Sequence, residues 1–410
     1  MQPFVALGKG LKENGHNVVL ATSERFRDFV KENGLGYGYM NDDMLGILDT
    51  DRGKDLLENT ANIFQVVKQT LSMMKQVGPL QKSLLRESWD VAQGAKPDLI
   101  VFHPKAYAAP HIAEKLDIPV ILTLPVPLMV PTAERPNVGF PDLKLGGWYN
   151  RQTYNLVNCL MGFSAKKHVK EFRIACGLPE QKKFNLLRMT DGSDIPVLHA
   201  HSKHVIPNPD DWPDHAVTTG YWFLDNQQDW KPPEVLKDFL RSGPPPVYIG
   251  FGSMAGRDPE RLAKIVVAAL EKANLRGIIA TGWGGLKAED LPDRILQIDQ
   301  APHDWLFPLM AAVVHHGGAG TTAAGLRAGK PSIVVPFFGD QPFWAGRVHE
   351  LGAGPKPIPQ KKLTSDGLAA ALREATTNED MMAAAEKIGK QIRGEDGVAN
   401  AVSFIERLGT

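Results

Sequence analysis

Five short apolar runs in the second half of the chain, at 247–251, 277–281, 295–299, 312–315 and 332–335, each end in a turn and lead into a segment of helical period. A parallel strand buries both faces and needs a crossover to its neighbour. Apolar runs of four or five residues that alternate with helices therefore predict α/β architecture with a parallel sheet. The first half repeats the pattern less regularly. It predicts a helix over 2–13 stopped by Asn14-Gly15, a strand over 17–22, a helical region from about 53 to 93, and strands at 98–102 and 119–124 around a helix at 108–116. The segment 380–408, rich in Ala, Glu, Lys and Ile, is expected to be helical.

At 410 residues the chain exceeds one ordinary core and suits two. Eight prolines (Pro207, Pro209, Pro213, Pro232, Pro233, Pro244, Pro245 and Pro246) mark the boundary. The expected division is an N-terminal domain over 1–215, a linker over 216–246, a C-terminal domain over 247–390, and a last helix over 391–410 packing back toward the first domain. The stretch 216–223 is a strand candidate for either half. Equal numbers of basic and acidic residues, 46 each, give no net basic footprint for nucleic acid. Two cysteines, Cys159 and Cys176, make neither a disulfide framework nor a zinc cage. With no cleavable signal pattern and no run of about 18 apolar residues, the expectation is a cytoplasmic enzyme, with peripheral membrane contact left open.

Ligands of open parallel sheets bind beyond the carboxyl ends of the strands, and the unusual residues here all fall at that edge. They are Gly252-Ser253-Met254, Gly282-Trp283-Gly284-Gly285, Ala301-Pro302-His303, His316-Gly317-Gly318-Ala319-Gly320-Thr321-Thr322 and Gly339-Asp340-Gln341. The loop after 312–315 carries the strongest signal. Small residues let backbone N–H groups approach an anion, and the next helix turns its positive end to the same turn, an environment that fits a diphosphate. The loop is neither a P-loop nor a dinucleotide G-x-G-x-x-G. Asp340-Gln341 suits adjacent sugar hydroxyls; the competing reading is a cap on a helix starting at Pro342.

His315-His316-Gly317-Gly318-Ala319-Gly320-Thr321-Thr322, Gly325-Leu326-Arg327-Ala328-Gly329 and Pro336-Phe337-Phe338-Gly339-Asp340-Gln341-Pro342-Phe343-Trp344 resemble the donor-binding signature of GT-B glycosyltransferases. The last of these is similar to sterol 3β-glucosyltransferases; macrolide and glycopeptide glycosyltransferases share the His-His-Gly-Gly-Ala-Gly core. The resemblance implies two Rossmann-like doubly wound domains facing each other across a cleft, with a UDP-sugar as donor and no metal or other cofactor. It assigns the diphosphate to Ser253, His316, Gly318, Ala319, Gly320 and Thr321, and the sugar to Asp340 and Gln341. Ala301 and His303 border the base, and Trp283 stacks on or walls off the nucleotide.

Such a family opens with a strand and a glycine-rich loop whose Asp is the expected base. Here the match begins at Gln2-Pro3, so an internal gap in the first sheet and slow transfer are expected. His103, at the carboxyl end of 98–102, is the base candidate that remains; His16 lies at the opposite edge. His199, His201 and His204 match no zinc spacing and are expected at the surface. Met40, Met44, Met73, Met74, Phe140, Trp148 and Phe163 are expected mostly in the core, with an apolar acceptor pocket as the competing role. The run 125–131 is the candidate acceptor-site or membrane-touching loop. The leading expectation is an inverting transfer of a hexose from a UDP-sugar to a lipophilic alcohol such as a sterol. Competing are a natural-product glycosyltransferase using a dTDP-sugar, and a non-catalytic nucleotide-sugar or lipid-binding protein. A nicotinamide oxidoreductase ranks behind these, for want of G-x-G-x-x-G after a strand.

Overall fold

The computed structural model describes all residues except 44–45, 47–62, 182–183, 226–229, 253–258, 282–290 and 409–410, with the backbone alone for 63–77. The chain forms two compact units. Unit 1 comprises Met1–Lys203, Pro207–Leu224 and Asp396–Thr410; unit 2 comprises His204–Ile206 and Asp225–Glu395.

Unit 1 runs α1 (Gln2–Glu13), β1 (Val19–Ser23), α2 (Arg27–Glu32), β2 (Gly36–Met40), α3 (Ile63–Ala95), β3 (Ile100–Phe102), α4 (Ala109–Leu116), β4 (Val120–Leu124), α5 (Gly146–Ala175), β5 (Val197–His199) and β6 (Ala216–Thr218). Its parallel strands fall into two sheets, β1-β2 and β3-β4-β5-β6. β4 is buried along its whole length, as its unbroken Val-Ile-Leu-Thr-Leu run requires of an inner strand. α1 ends where predicted, with Gly15 in the left-handed region at φ +90. Phe4, Leu7 and Leu11 of α1 join one cluster with Val18, beside β1, and with Leu99 and Val101 around β3. A single helix thus covers both sheets.

Unit 2 runs α6 (Glu234–Arg241), β7 (Val247–Gly250), α7 (Pro259–Ala273), β8 (Gly277–Ala280), β9 (Ile295–Ile298), α8 (His303–Leu306), β10 (Ala312–His315), α9 (Ala319–Arg327), β11 (Ser332–Val334), α10 (Gln341–Glu350), α11 (Ser365–Thr377) and α12 (Glu379–Arg393). Its strands form one parallel sheet in the order β11-β10-β7-β8-β9. Alternate residues serve opposite faces. Val247, Ile249, Val314 and Ile333 pack with Leu262 and Val266 of α7 and Leu368 and Leu372 of α11, whereas Tyr248, Ile278 and Val313 pack with Leu236 of α6 and Leu306 of α8. Only edge strand β9 carries an exposed residue, Gln297.

The last helix, α13 (Gly397–Leu408), belongs to unit 1 and packs on α1. A Cβ at Gly10 would overlap Val398, so glycine is what permits the close approach. Several expectations need correction. The segment 380–408 is two helices, broken around Gly394 where the chain passes from unit 2 to unit 1. The proline-rich stretch is no free linker: β6 pairs with β5 in unit 1, and α6 belongs to unit 2. Pro233 is the N-cap residue of α6 and Pro246 directly precedes β7, so these prolines sit at element starts. His199 and His201 are fully buried rather than at the surface, and His199 stacks on Trp212 at 4.2 Å. In the run 125–131, Pro127, Met129 and Val130 are buried, while Trp148 and Phe163 are 76% and 62% exposed. Met44 lies outside the described residues, as do the side chains of Met73 and Met74.

Candidate functional site

The turns after β7, β9, β10 and β11 all leave the carboxyl edge of the unit 2 sheet, where parallel strands deliver ligand-binding groups. After β10 the backbone turns through Gly317 at φ +90. A Cβ there would stand 2.7 Å from Val334 Cγ1 and 3.1 Å from the carbonyl of Gln341, so both the conformation and the space demand glycine. The N–H of Gly317 donates to His315 Nδ1 at 3.0 Å, which locks the turn to the strand end.

α9 then starts at Ala319 with Gly318 as its cap residue and no side-chain cap. Its first intrahelical N–H bond runs from Thr322 to the Gly318 carbonyl. The N–H groups of Ala319, Gly320 and Thr321 precede it and meet no protein cap at the positive end of the helix. Open space lies beside Gly320, where an added Cβ would meet nothing within 4 Å. His316 borders this opening: a Cβ on Gly318 would stand 2.6 Å from His316 Nε2, and one on Gly252 would stand 3.7 Å from His316 Cε1. His316 Nδ1 is buried without a hydrogen-bond partner, as is the hydroxyl of Thr322. Burial pushes the imidazole of His316 down to about 4, so it is neutral at neutral pH. It can then serve an anion as a hydrogen-bond donor rather than as a cation.

Asp340 sits at the start of α10, but its carboxylate does not cap that helix; it accepts from Trp344 Nε1 at 2.8 Å. Burial raises its pKa, opposed by that same hydrogen bond. Gln341 Oε1 accepts from the N–H groups of Phe337 and Phe338 at 2.7 and 3.2 Å, closing the turn after β11. The Gln341 carboxamide therefore has only its NH2 left for a ligand. His303 opens α8, stacks on Phe307 at 4.2 Å and is pushed down to about 4, chiefly by burial. Ala301 packs partly buried against the same cluster. Ser253 and Trp283 lie outside the described residues. Sequence reasoning placed Gly252 and Thr322 at this edge but gave neither a role of its own; Gly252, at φ +59, faces His316. A glycine directly after a strand, and the second of two adjacent threonines, were the available signals.

In unit 1, His103 follows β3 at the carboxyl edge. Burial, then Lys105 and the N-terminal amine, push it down to about 4. Its Nδ1 accepts from the N–H of Lys105 at 3.2 Å, so the neutral ring carries its proton on Nε2. That tautomer donates; removing a proton from a hydroxyl through Nε2 requires the other one. Among the described residues no cluster of three or more His, Cys, Asp or Glu is placed to hold a metal, and no helix is long and apolar enough to cross a membrane.

Comparison with known proteins agrees with this arrangement. The glycosyltransferase family 28 N-terminal domain matches residues 1–133, and the erythromycin biosynthesis protein CIII-like C-terminal domain matches residues 278–404. The chain is 36% identical to a sterol 3-beta-glucosyltransferase of Arabidopsis thaliana over 100% of its own length and 64% of the relative's. For those of Saccharomyces cerevisiae and Yarrowia lipolytica the identities are 37% and 39%, over 99% of this chain but 34% and 28% of theirs. The chain thus spans less than two thirds of these relatives. Among solved structures, the glycosyltransferase of kitacinnamycin superposes with a TM-score of 0.73 at 19% identity, covering 99% of this chain and 95% of that one. VinC in complex with dTDP superposes at 0.68 and 21%, covering 100% and 96%. At such identities the likeness is one of fold.

Proposed function

The chain belongs to the GT-B glycosyltransferases, and from that premise we propose that it transfers glucose, with inversion, from UDP-glucose to the 3β-hydroxyl of a sterol. The observation that carries this reading is 34–39% identity to sterol 3-beta-glucosyltransferases across essentially the whole chain. The chemistry follows from the donor site. Departure of UDP leaves charge on the diphosphate, and the uncapped N–H groups of Ala319, Gly320 and Thr321, with Gly318, His316 and Ser253, stabilise it without a metal. Asp340 and the amide of Gln341 hold the hexose, and Ala301, His303 and Trp283 border the uracil. Unit 1 takes the acceptor, with His103 beside its hydroxyl.

Incubation with UDP-glucose and a sterol, followed by mass spectrometry and determination of the anomer, tests the reading; a β-glucoside is the expected product. The matching erythromycin-type C-terminal domain supports a second reading, in which a dTDP-sugar is transferred to a natural-product aglycone. Turnover only with dTDP-glucose and a macrolide acceptor would establish it. Binding of UDP-glucose without turnover on any acceptor would make the protein a nucleotide-sugar binder.

A further inference from the structure

Of the eleven large hydrophobic side chains exposed among the described residues, six lie between 143 and 174, on or just before α5: Leu143, Leu145, Trp148, Leu156, Phe163 and Ile174. The opposite face of α5 buries Tyr154, Ala165, Val169 and Phe172. At 3.6 residues per turn, Trp148, Leu156, Phe163 and Ile174 fall within an arc of about 80°. Gln152, Cys159, Lys166 and Lys170 share that arc, and Lys167 borders it. No carboxylate does: Glu171 points aside to Lys82, 3.3 Å away. Lys170 meets Glu180 at 2.7 Å, while Lys166 and Lys167 are exposed.

We propose that this outer face of α5 is a docking surface for an anionic lipid bilayer. Exposed apolar side chains aligned along one helix face, rather than scattered singly, mark an interaction site. A helix lying in a membrane interface has this composition: apolar side chains enter the acyl boundary, Trp sits at headgroup level, and lysines on flexible stems reach the phosphates. The lack of acidic groups on the strip suits a negative surface and no other charge. Docking is argued from the helix alone; its use, to meet an acceptor dissolved in the bilayer, rests on the sterol reading.

The test is flotation with phosphatidylcholine vesicles, with and without phosphatidylserine. The wild type should float with the mixed vesicles. Trp148→Ser/Phe163→Ser should lose at least about tenfold in vesicle affinity, because two apolar side chains no longer leave water. Lys166→Glu/Lys167→Glu should lose about as much, through the charge alone. A polarity-sensitive fluorophore on exposed Cys159 should shift to the blue with the mixed vesicles, in a protein whose Cys176 is serine. Both variants should retain wild-type turnover on detergent-dispersed sterol and lose it selectively on vesicle-borne sterol. Flotation by the variants equal to wild type, or none by the wild type, overturns the proposal. So does a dimer that Trp148→Ser/Phe163→Ser dissociates without change in flotation, since the strip would then pair copies of the chain. Wild-type flotation with no glucosylation of any sterol sinks the acceptor reading and leaves the docking surface standing.

Discussion

The carboxylate of Asp340 accepts a 2.8 Å hydrogen bond from the indole Nε1 of Trp344, one turn along the same helix, and Trp344 is fully buried. The residue assigned to the donor sugar therefore also satisfies a core N–H group. Gln341 is similarly committed, its Oε1 holding two backbone N–H groups of the turn before it. The two side chains proposed to hold the donor sugar are thus the ones that fix the local structure of this turn and helix start.

Alanine at position 340 consequently confounds two effects. Asp340→Ala leaves the buried indole N–H unpaired, so it should destabilise the protein by roughly 1–3 kcal/mol as well as impair use of the sugar. Asp340→Asn keeps an oxygen for Trp344 and should melt near wild type, with UDP affinity retained and glucose transfer reduced. Calorimetric titration with UDP and with UDP-glucose, beside thermal melts of both variants, checks this. If Asp340→Asn loses UDP affinity, the carboxylate serves the nucleotide instead.

His316 should act on the nucleotide as a neutral donor. His316→Ala should weaken UDP and UDP-glucose equally, by about 10-fold or more, since a hydrogen bond to a charged group contributes about 1.5–3 kcal/mol. Gly318→Ala should reproduce the defect in part, because the added methyl stands 2.6 Å from His316 Nε2 and must displace the ring. Unchanged UDP affinity in Gly318→Ala would show that the ring's position is immaterial.

How legible this was in the sequence differs between the units. The unit 2 strands were readable within a residue, since each is a mainly apolar run, fully buried in all but edge strand β9, cut off by a turn with glycine or polar residues. Neither β2 nor α5 was. β2 reads Gly-Tyr-Gly-Tyr-Met, partly exposed, its two glycines offsetting the strand preference of its tyrosines. α5 carries apolar residues on both its faces, which erases the helical period that would have marked it. His199 and His201 looked like surface groups because a buried, neutral histidine leaves no trace in composition. The sequence placed the candidate donor residues after the strands they do follow, but not the second duties of Asp340 and Gln341, which depend on partners three or four residues away within the folded turn.

The buried histidines set the response to acid. Burial is the first cause of depression in every case: His201 and His315 fall to about 3, and His103, His111, His303 and His316 to about 4. The unfolded chain takes up these protons near pH ~6.5. Between there and about 4 it holds more protons than the folded state, so stability falls as pH falls through that window and is level above it. Urea unfolding at pH 7.5 and 5.5, values chosen to lie about one unit above and below that onset, should show the loss. His201→Leu should flatten the slope. Equal stability at both pH values would mean that these rings are hydrated or paired in the folded protein.

The sharpest test of the donor site is the least disruptive substitution. Gly320 is in the first turn of α9, exposed, with helical backbone and open space around the missing Cβ. Alanine there strains nothing and restricts the unfolded chain, so Gly320→Ala should stabilise the protein by up to about 1 kcal/mol. The same methyl would intrude on the space over the N–H groups of Ala319, Gly320 and Thr321, where a diphosphate must come close. The expected result is therefore a higher melting temperature without ligand, a smaller shift on adding UDP, and a raised KM for UDP-glucose. Thermal melts with and without UDP separate the two effects. If Gly320→Ala binds UDP as tightly as the wild type, the diphosphate does not sit on this helix start, and the donor assignment of the whole loop falls with it.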